Sequence, residues 1–276
     1  MILITGATGT IGSEVTRLLA EAGVPARAMT RDPGKVAGPA VHGDFGDVRS
    51  LEAAVTEVSA ALLLTPFGAE IAAHDRAFVD VAARAGVRKI VKISAIGAGE
   101  SEDPEDVGGM HGAGERAVTG SGLEWTIVRP SMFATNALGW AETVKAGQPI
   151  PNMTGDGRQG IVDPRDIAAV AVAALTGSGH HGRIYEVTGP DLLSTPDQAG
   201  LIGRAIGRRV ETVNVPIEQA AAQIPDPAYA KAAAKGWAFI AAEGNAVVTT
   251  AVQDVLGRPS RSFESWARDT KAAFGG

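Results

Sequence analysis

The sequence predicts an α/β fold built on a doubly wound parallel sheet, and three observations carry that expectation. Short, continuously apolar runs alternate with helix-like runs of about 10–15 residues through the first half, the rhythm of right-handed βαβ crossovers. A glycine-rich heptad directly follows the first apolar run. The chain also has 35 Gly and 15 Pro, without repeat or low-complexity period, which many tight turns between short elements would use. Its 45% apolar residues include only 5% aromatic ones, so the core must be aliphatic.

Each element follows from local pattern. Ile2–Thr5 reads as a buried strand, Ser13–Ala22 as a helix stopped by Gly23, and Pro25–Thr30 as a second strand. Ala40–His42 is a short third strand before Gly43, Asp47–Thr56 a helix, and Ala60–Leu64 a fourth strand. Ile71–Ala85 is a helix with Gly86 as its C-terminal cap. Lys89–Ser94 is a strand, His111–Gly120 a helix and Trp125–Arg129 a strand. Beyond Pro130 the rhythm loosens. Asp163 caps a helix through Leu175, with Pro164 at its first position and Asp166 facing the macrodipole. Arg183–Thr188 is a strand, Thr195-Pro196 caps a helix that Gly207 ends, and Val210–Val215 is a late strand. Ala228–Ala242 and Ser262–Phe274 read as helices.

At about 150 residues per domain, 276 residues amount to roughly two units. The expected division is a nucleotide-binding body over residues 1–150, with sheet returns near 160–190, and a mainly C-terminal lobe over 151–276. The absence of Cys excludes a disulfide scaffold, a thiolate metal site and cysteine nucleophilic catalysis. A net charge of −6 without a basic block argues against nucleic-acid binding. The N-terminus has no basic segment ahead of an apolar one, and no window approaches 18 apolar residues. The expectation is a cytoplasmic monomer or homodimer without a membrane partner.

Gly6-Ala7-Thr8-Gly9-Thr10-Ile11-Gly12 lies between the first strand and the first helix. In that context it is the dinucleotide fingerprint: one glycine for the tight turn, one for close approach of the pyrophosphate, one for helix–strand packing. The amides of Thr10 and Ile11 would face the phosphates. The second strand ends Met29-Thr30-Arg31-Asp32. A guanidinium at Arg31 suits a 2′-phosphate, whereas a carboxylate there would suit the 2′-hydroxyl of NAD, so the expected cofactor is NADPH over NADH.

These residues carry a resemblance. The heptad, Thr30-Arg-Asp-Pro33, Gly43-Asp44-Phe45, Ile93-Ser94-Ala95-Ile96-Gly97, Ser121-Gly-Leu-Glu-Trp-Thr-Ile-Val-Arg-Pro130 with Phe133 and Asn136, and Val162-Asp-Pro-Arg-Asp-Ile-Ala168 together resemble the NmrA-like family. This is an atypical branch of the short-chain dehydrogenase/reductases, and the match spans nearly the whole chain. The resemblance implies a Rossmann-type domain, NAD(P)H and a small, interleaved C-terminal substrate lobe. It places Gly6, Thr8, Gly9, Thr10, Ile11 and Arg31 on the cofactor. Asp44 and Phe45 would flank the adenine, Leu64, Thr65, Pro66 and Phe67 would line the cofactor near its ribose and nicotinamide, and Pro130, Ser131 and Phe133 would border the nicotinamide.

One departure limits the chemistry. The Tyr-x-x-x-Lys of short-chain reductases falls here on Val107 and His111, and the two tyrosines, Tyr185 and Tyr229, lie elsewhere. In one account His111 titrates near neutrality and acts as the acid, with Glu115 one helical turn away to hold the imidazole. Quinone reductases of this branch share a similar His and Glu spacing, and a quinone relaxes the need for a donor. His111 contacting the cofactor without exchanging protons is an equal reading. Ser94, at the end of the fifth strand, would touch a substrate carbonyl or the nicotinamide ribose. Met132, Phe133 and Trp140, with Trp237 and Phe239, are spaced to wall a pocket for a flat hydrophobic ketone or quinone. The acidic run around Glu100, Glu102, Asp103, Glu105 and Asp106 reads as a solvated loop. The alternative function is a non-catalytic, redox-sensing NAD(P) binder, whose second lobe and His180-His181 would meet protein partners.

Overall fold

The structure, a computed structural model, describes residues 1–66, 68, 70–103 and 106–276. In chain order it runs β1 (Ile2–Ile4), α1 (Thr10–Glu21), β2 (Ala26–Thr30), β3 (Ala40–His42), α2 (Val48–Ala54), β4 (Ala60–Leu63), α3 (Ile71–Arg84), β5 (Lys89–Ile93), α4 (Val107–Thr119) and β6 (Glu124–Pro130). It continues with α5 (Ala141–Lys145), β7 (Ile150–Asn152), β8 (Gln159–Gly160), α6 (Pro164–Thr176), β9 (Arg183–Val187), β10 (Leu192–Leu193) and α7 (Thr195–Ile206). Then come β11 (Thr212–Asn214), α8 (Ile217–Ala221), α9 (Pro227–Ala241), α10 (Ala251–Leu256) and α11 (Phe263–Asp269). No helix among the described residues is long and apolar enough to cross a membrane.

The chain divides into two units, Met1–Pro130 with Ile167–Glu186, and Ser131–Asp166 with Val187–Gly276. The first continuous stretch of the first unit thus stops at Pro130, and the chain returns to that unit over Ile167–Glu186. The reason is local: the Ser131 amide donates to the Val187 carbonyl, and Phe133 bridges to Val162, so the chain past Pro130 joins the second unit at once.

In the first unit a seven-stranded sheet has the order β3-β2-β1-β4-β5-β6-β9. The pairs β1–β2, β2–β3, β1–β4, β4–β5 and β5–β6 are all parallel. Successive side chains alternate between faces. Leu3, Ala61, Leu63 and Ile90 accordingly share one buried cluster with Leu51, Val55, Phe78, Val79, Ala82 and Val118. Each such Leu, Val or Phe stabilises the fold by about 1.5–3 kcal/mol. Strand order reverses between β1 and β4, which opens the crevice at their carboxyl ends where ligands of such sheets bind.

The second unit has its own core of Val144, Ile150, Ile202, Phe263, Trp266 and Phe274, against which Met132 and Trp140 pack. Those two side chains therefore serve this core, and the expected aromatic wall does not include them as free surfaces. The buried Asp166 carboxylate accepts from Arg261 Nη1 at 2.5 Å and Arg258 Nη2 at 2.8 Å.

Three further expectations need correction. Helix α4 begins at Val107, four residues ahead of His111, because Asp106 caps it by accepting from the Gly109 amide at 2.7 Å. Its glycines hid the extra turn. Ser194, not Thr195, caps α7, in a capping box with Asp197. The closing helix stops at Asp269 and resumes as a 3-10 turn over Lys271–Phe274. The short β7, β8, β10, α5, α8 and α10 carry too few residues for a periodicity to register.

Gly12 is where α1 meets β1. A Cβ there would run into the Gly6 carbonyl. Gly12→Ala should therefore destabilise by about 1–3 kcal/mol despite alanine's better helix propensity, read as a lowered urea midpoint. An unchanged midpoint would show that α1 can back away from the strand.

Candidate active site

The crevice is built from strand ends. Thr5, fully buried, accepts from the Leu64 amide at 2.8 Å and lies 3.0 Å from the Leu64 carbonyl, which pins the end of β1 to the chain leaving β4. Gly6 follows with φ +60°, and a Cβ there would stand 2.9 Å from Leu64. Thr8, Gly9 and Thr10 are exposed while Ile11 is buried, so the turn presents backbone and anchors itself by one side chain. Gly9 is the N-cap of α1, without a side-chain cap and without an acidic residue in the first turn. Free amides, a positive dipole end and no carboxylate fit a pyrophosphate.

Around this turn, Arg31 is exposed and has no ion pair among the described residues. Asp32 is committed locally: it accepts from the Gly34 amide at 3.2 Å and pairs with Lys35 at 3.3 Å. Asp44 accepts from the Gly46 amide at 2.8 Å. The Phe45 ring is buried in the core, stacked on His74 at 5.6 Å and tilted against Phe78 at 6.1 Å. Its ring is therefore not available to flank an adenine, which leaves Asp44 and the Phe45 backbone for that role. Leu64 and Thr65 are partly exposed and Pro66 exposed. Phe67 lies outside the described residues, as do Pro104 and Glu105 of the acidic run.

Two polar clusters lie beneath the crevice. In the first, Lys92 Nζ donates to Asp75 Oδ2 at 2.5 Å with both side chains fully buried, and Thr65 donates to Asp75 Oδ1 at 2.5 Å. Lys92 shares the Ile90 face of β5, and Asp75 lies on the inward face of α3 with Ile71, Phe78 and Ala82. A Cβ at Gly114 of α4 would strike Asp75 Oδ2 and sit 3.1 Å from Lys92 Cε. Sequence reasoning missed this pair. The signal was there: opposite charges at core positions of a helix and a strand otherwise apolar on that face.

In the second cluster the buried Ser94 hydroxyl donates to Glu115 Oε1 at 2.5 Å. Arg129 grips the same carboxylate with Nε at 2.9 Å and Nη2 at 2.6 Å, and reaches Glu186 at 3.8 Å. The hydrogen bonds it donates to Glu115 hold the Arg129 guanidinium above its ordinary pKa. Glu115 therefore serves Ser94 and Arg129, and the expected His111–Glu115 pair does not form. His111 is partly exposed, yet its Nδ1 is buried without a partner. Burial, and then the nearby Lys92 charge, push its imidazole down to about 3, so it is neutral near pH 7 and does not titrate there as expected.

Pro130 closes the first unit, buried. Ser131 and Phe133 begin the second; Ser131 Oγ is buried without a hydrogen-bond partner among the described residues. Tyr185 hydrogen-bonds His180 Nδ1 at 2.8 Å, while Tyr229 is 56% exposed on α9.

A glycine-rich turn with open amides at the switch point of a doubly wound sheet is the geometry of a nucleotide-binding α/β protein. Residues 6–178 match a family described as NAD(P)H-binding, and the chain belongs to that family. A (4-alkanoyl-5-oxo-2,5-dihydrofuran-3-yl)methyl phosphate reductase of Streptomyces griseus is 38% identical over 283 residues, 99% of this chain and 99% of its own. An NAD(P)H azoreductase of Xenophilus azovorans is 36% identical over 285 residues, 100% of this chain and 99% of its own. An NADPH-dependent quinone oxidoreductase of Escherichia coli, solved with NADPH, superposes with a TM-score of 0.87 at 24% identity, covering 98% of this chain and 99% of that one. The protein is an NAD(P)H-dependent oxidoreductase.

Two measurements test the polar clusters. Asp75→Ala strands a buried Lys92 charge and should cost about 3–5 kcal/mol, whereas Asp75→Leu with Lys92→Met should recover most of it in urea titrations. Because the folded His111 pKa is lowered, its contribution to stability is complete above the unfolded value near 6.5 and drains away as pH falls toward 3. His111→Gln should lose less melting temperature than the parent between about pH 7 and 4.

Proposed function

We propose that this enzyme is an NADPH-dependent reductase that passes hydride to a quinone, or to a carbonyl conjugated to a larger π system, on a hydrophobic small molecule. The observation that carries this is the commitment of the groups below the crevice. Among the described residues there, Ser94 donates to Glu115, Glu115 is clamped by Arg129, Lys92 is locked to Asp75, and His111 is neutral. No acid matched to an alkoxide stands at that point. An acceptor whose developing negative charge spreads over conjugated atoms needs none, since water can complete the protonation. The azo and quinone acceptors in the relatives' names, and the unsaturated lactone ring of the furan-based one, agree with that requirement.

The cofactor supplies the hydride; the chain binds and orients it. Gly6, Thr8, Gly9, Thr10 and Ile11 would hold the pyrophosphate, and Arg31 the 2′-phosphate. Asp44 and the Phe45 backbone would border the adenine. Leu64, Thr65 and Pro66 would line the ribose, with Pro130 at the nicotinamide. The Ser94 hydroxyl, with its proton on Glu115, would present lone pairs to the nicotinamide ribose. Trp237, partly exposed, and Phe239, exposed, offer apolar surface on α9 for a ligand at the second unit.

The test is NADPH oxidation against a panel of quinones, conjugated ketones and saturated ketones. Saturated ketones should react at least about 100-fold more slowly, the usual worth of a general acid. Equal rates on both groups would overturn the assignment. Arg31→Ala should raise the NADPH Kd about tenfold or more and leave NADH nearly unchanged, since a charge-assisted hydrogen bond is worth about 1.5–3 kcal/mol. Equal losses for both cofactors would remove Arg31 from the 2′-phosphate.

A further inference from the structure

We propose that Asp75 and Lys92 are positioning residues for the dinucleotide: through the Thr65 hydroxyl they hold the chain leaving β4 in the shape that receives the cofactor. This rests on the cofactor site assigned above and is indifferent to which acceptor is reduced.

The argument starts from a cost. Two opposite charges at full burial add little net stability, because desolvation offsets their attraction, and an apolar pair of similar volume packs at least as well. Holding α3 against β5 therefore does not require charge. What a carboxylate does and a leucine cannot is accept hydrogen bonds from two sides at once. Asp75 Oδ2 accepts from Lys92 Nζ and Oδ1 accepts from the Thr65 hydroxyl, each at 2.5 Å. Lys92 donates besides only to its neighbouring Ile93 carbonyl, at 3.4 Å. A Cβ at Gly114 would strike Asp75 Oδ2, so α4 closes the remaining side. Lys92 is thus the counter-charge that lets a carboxylate sit fully buried, and Thr65 is the group which that carboxylate holds.

Thr65 stands where this matters. Strand order reverses between β1 and β4, so the chains leaving these two strands form the walls of the crevice in which a doubly wound sheet binds its ligand. The β1 wall is the glycine-rich turn. The β4 wall has two ties, both inside the first unit. The Leu64 amide donates to Thr5 Oγ1 at 2.8 Å, and Gly6 lies against Leu64 with no room for a Cβ. The second tie is Thr65 to Asp75. Beyond it Pro66 is exposed and has no amide hydrogen to donate. Cutting the second tie frees Thr65 and Pro66 to take other conformations. A wall that is correctly formed for only a fraction of the time weakens the apparent affinity by that fraction.

The experiment reads stability, wall order and cofactor binding separately. Asp75→Leu/Lys92→Met removes both charges and refills their space, Thr65→Val removes the hydroxyl at nearly constant shape, and a triple variant combines them. The double variant should keep a urea midpoint near the parent's. It should nevertheless bind NADPH about tenfold more weakly by isothermal titration, as for a wall formed about one-tenth of the time. Without cofactor, its Leu64 amide should exchange with deuterium about tenfold faster, while the β5 amides stay unchanged. Thr65→Val should show the same two effects, and Thr65→Ser should recover most of each. The triple variant should bind no more weakly than the double one, since both changes cut one tie. Parent-like NADPH affinity in a double variant of parent-like stability would overturn the proposal. So would losses that multiply in the triple variant, which would put Thr65 directly on the cofactor. Should the double variant unfold, Leu64 exchange in Thr65→Val against Thr65→Ser makes the decision, and equal rates refute the tie. None of these readings uses an acceptor, so failure of the acceptor panel would refute the reductase assignment and leave this result standing.

Discussion

Lys92 and Asp75 meet at 2.5 Å in a place neither can share with water. Such a pair adds little net stability, because desolvating two charges offsets their attraction, but separating them is costly. That asymmetry works as a geometric constraint. Helix α3 must bring Asp75 to the carboxyl end of β5, α4 must pass over the pair with a glycine, and the chain leaving β4 must present Thr65. Three segments on one side of the crevice are thus fixed relative to one another by one contact, within the unit that carries the phosphate turn.

The two polar clusters divide the labour. Thr65, Asp75 and Lys92 fix the chain leaving β4 against α3 and β5. Ser94, Glu115 and Arg129 tie β5, α4 and β6 together with charge-assisted hydrogen bonds, which are stronger than neutral ones. Protonating an alkoxide would need a free, tunable acid at this point. Here every group of that kind among the described residues is already spoken for or neutral.

Much of this was legible in the chain. The β1-turn-α1 unit and the succession of strands and helices through β6 follow from apolar runs and glycine placement. Gly114 and Asp75 show what was not. A glycine inside a helix reads as a weak helix former unless the group that occupies its missing side chain is known, and that group is 39 residues earlier in sequence. The His111–Glu115 spacing was correctly read as one helix face, yet spacing along a helix cannot say which partner across the sheet wins the carboxylate. Arg129 does, from β6, with two hydrogen bonds at once. Phe45 makes a related point: a motif gives the position of a backbone, and here the ring packs against Phe78 and His74.

Helix α4 carries Gly108, Gly109, Gly112 and Gly114 within thirteen residues. Each costs about 0.8–1.0 kcal/mol against alanine, so together they remove about 3–4 kcal/mol of intrinsic helicity. Such a segment does not hold its own nucleus in water, and it winds only once the strands and α3 are in place. The helix bearing His111 and Glu115 is therefore a late and conditional element. Its reversible unwinding can proceed as a local opening, with the sheet intact.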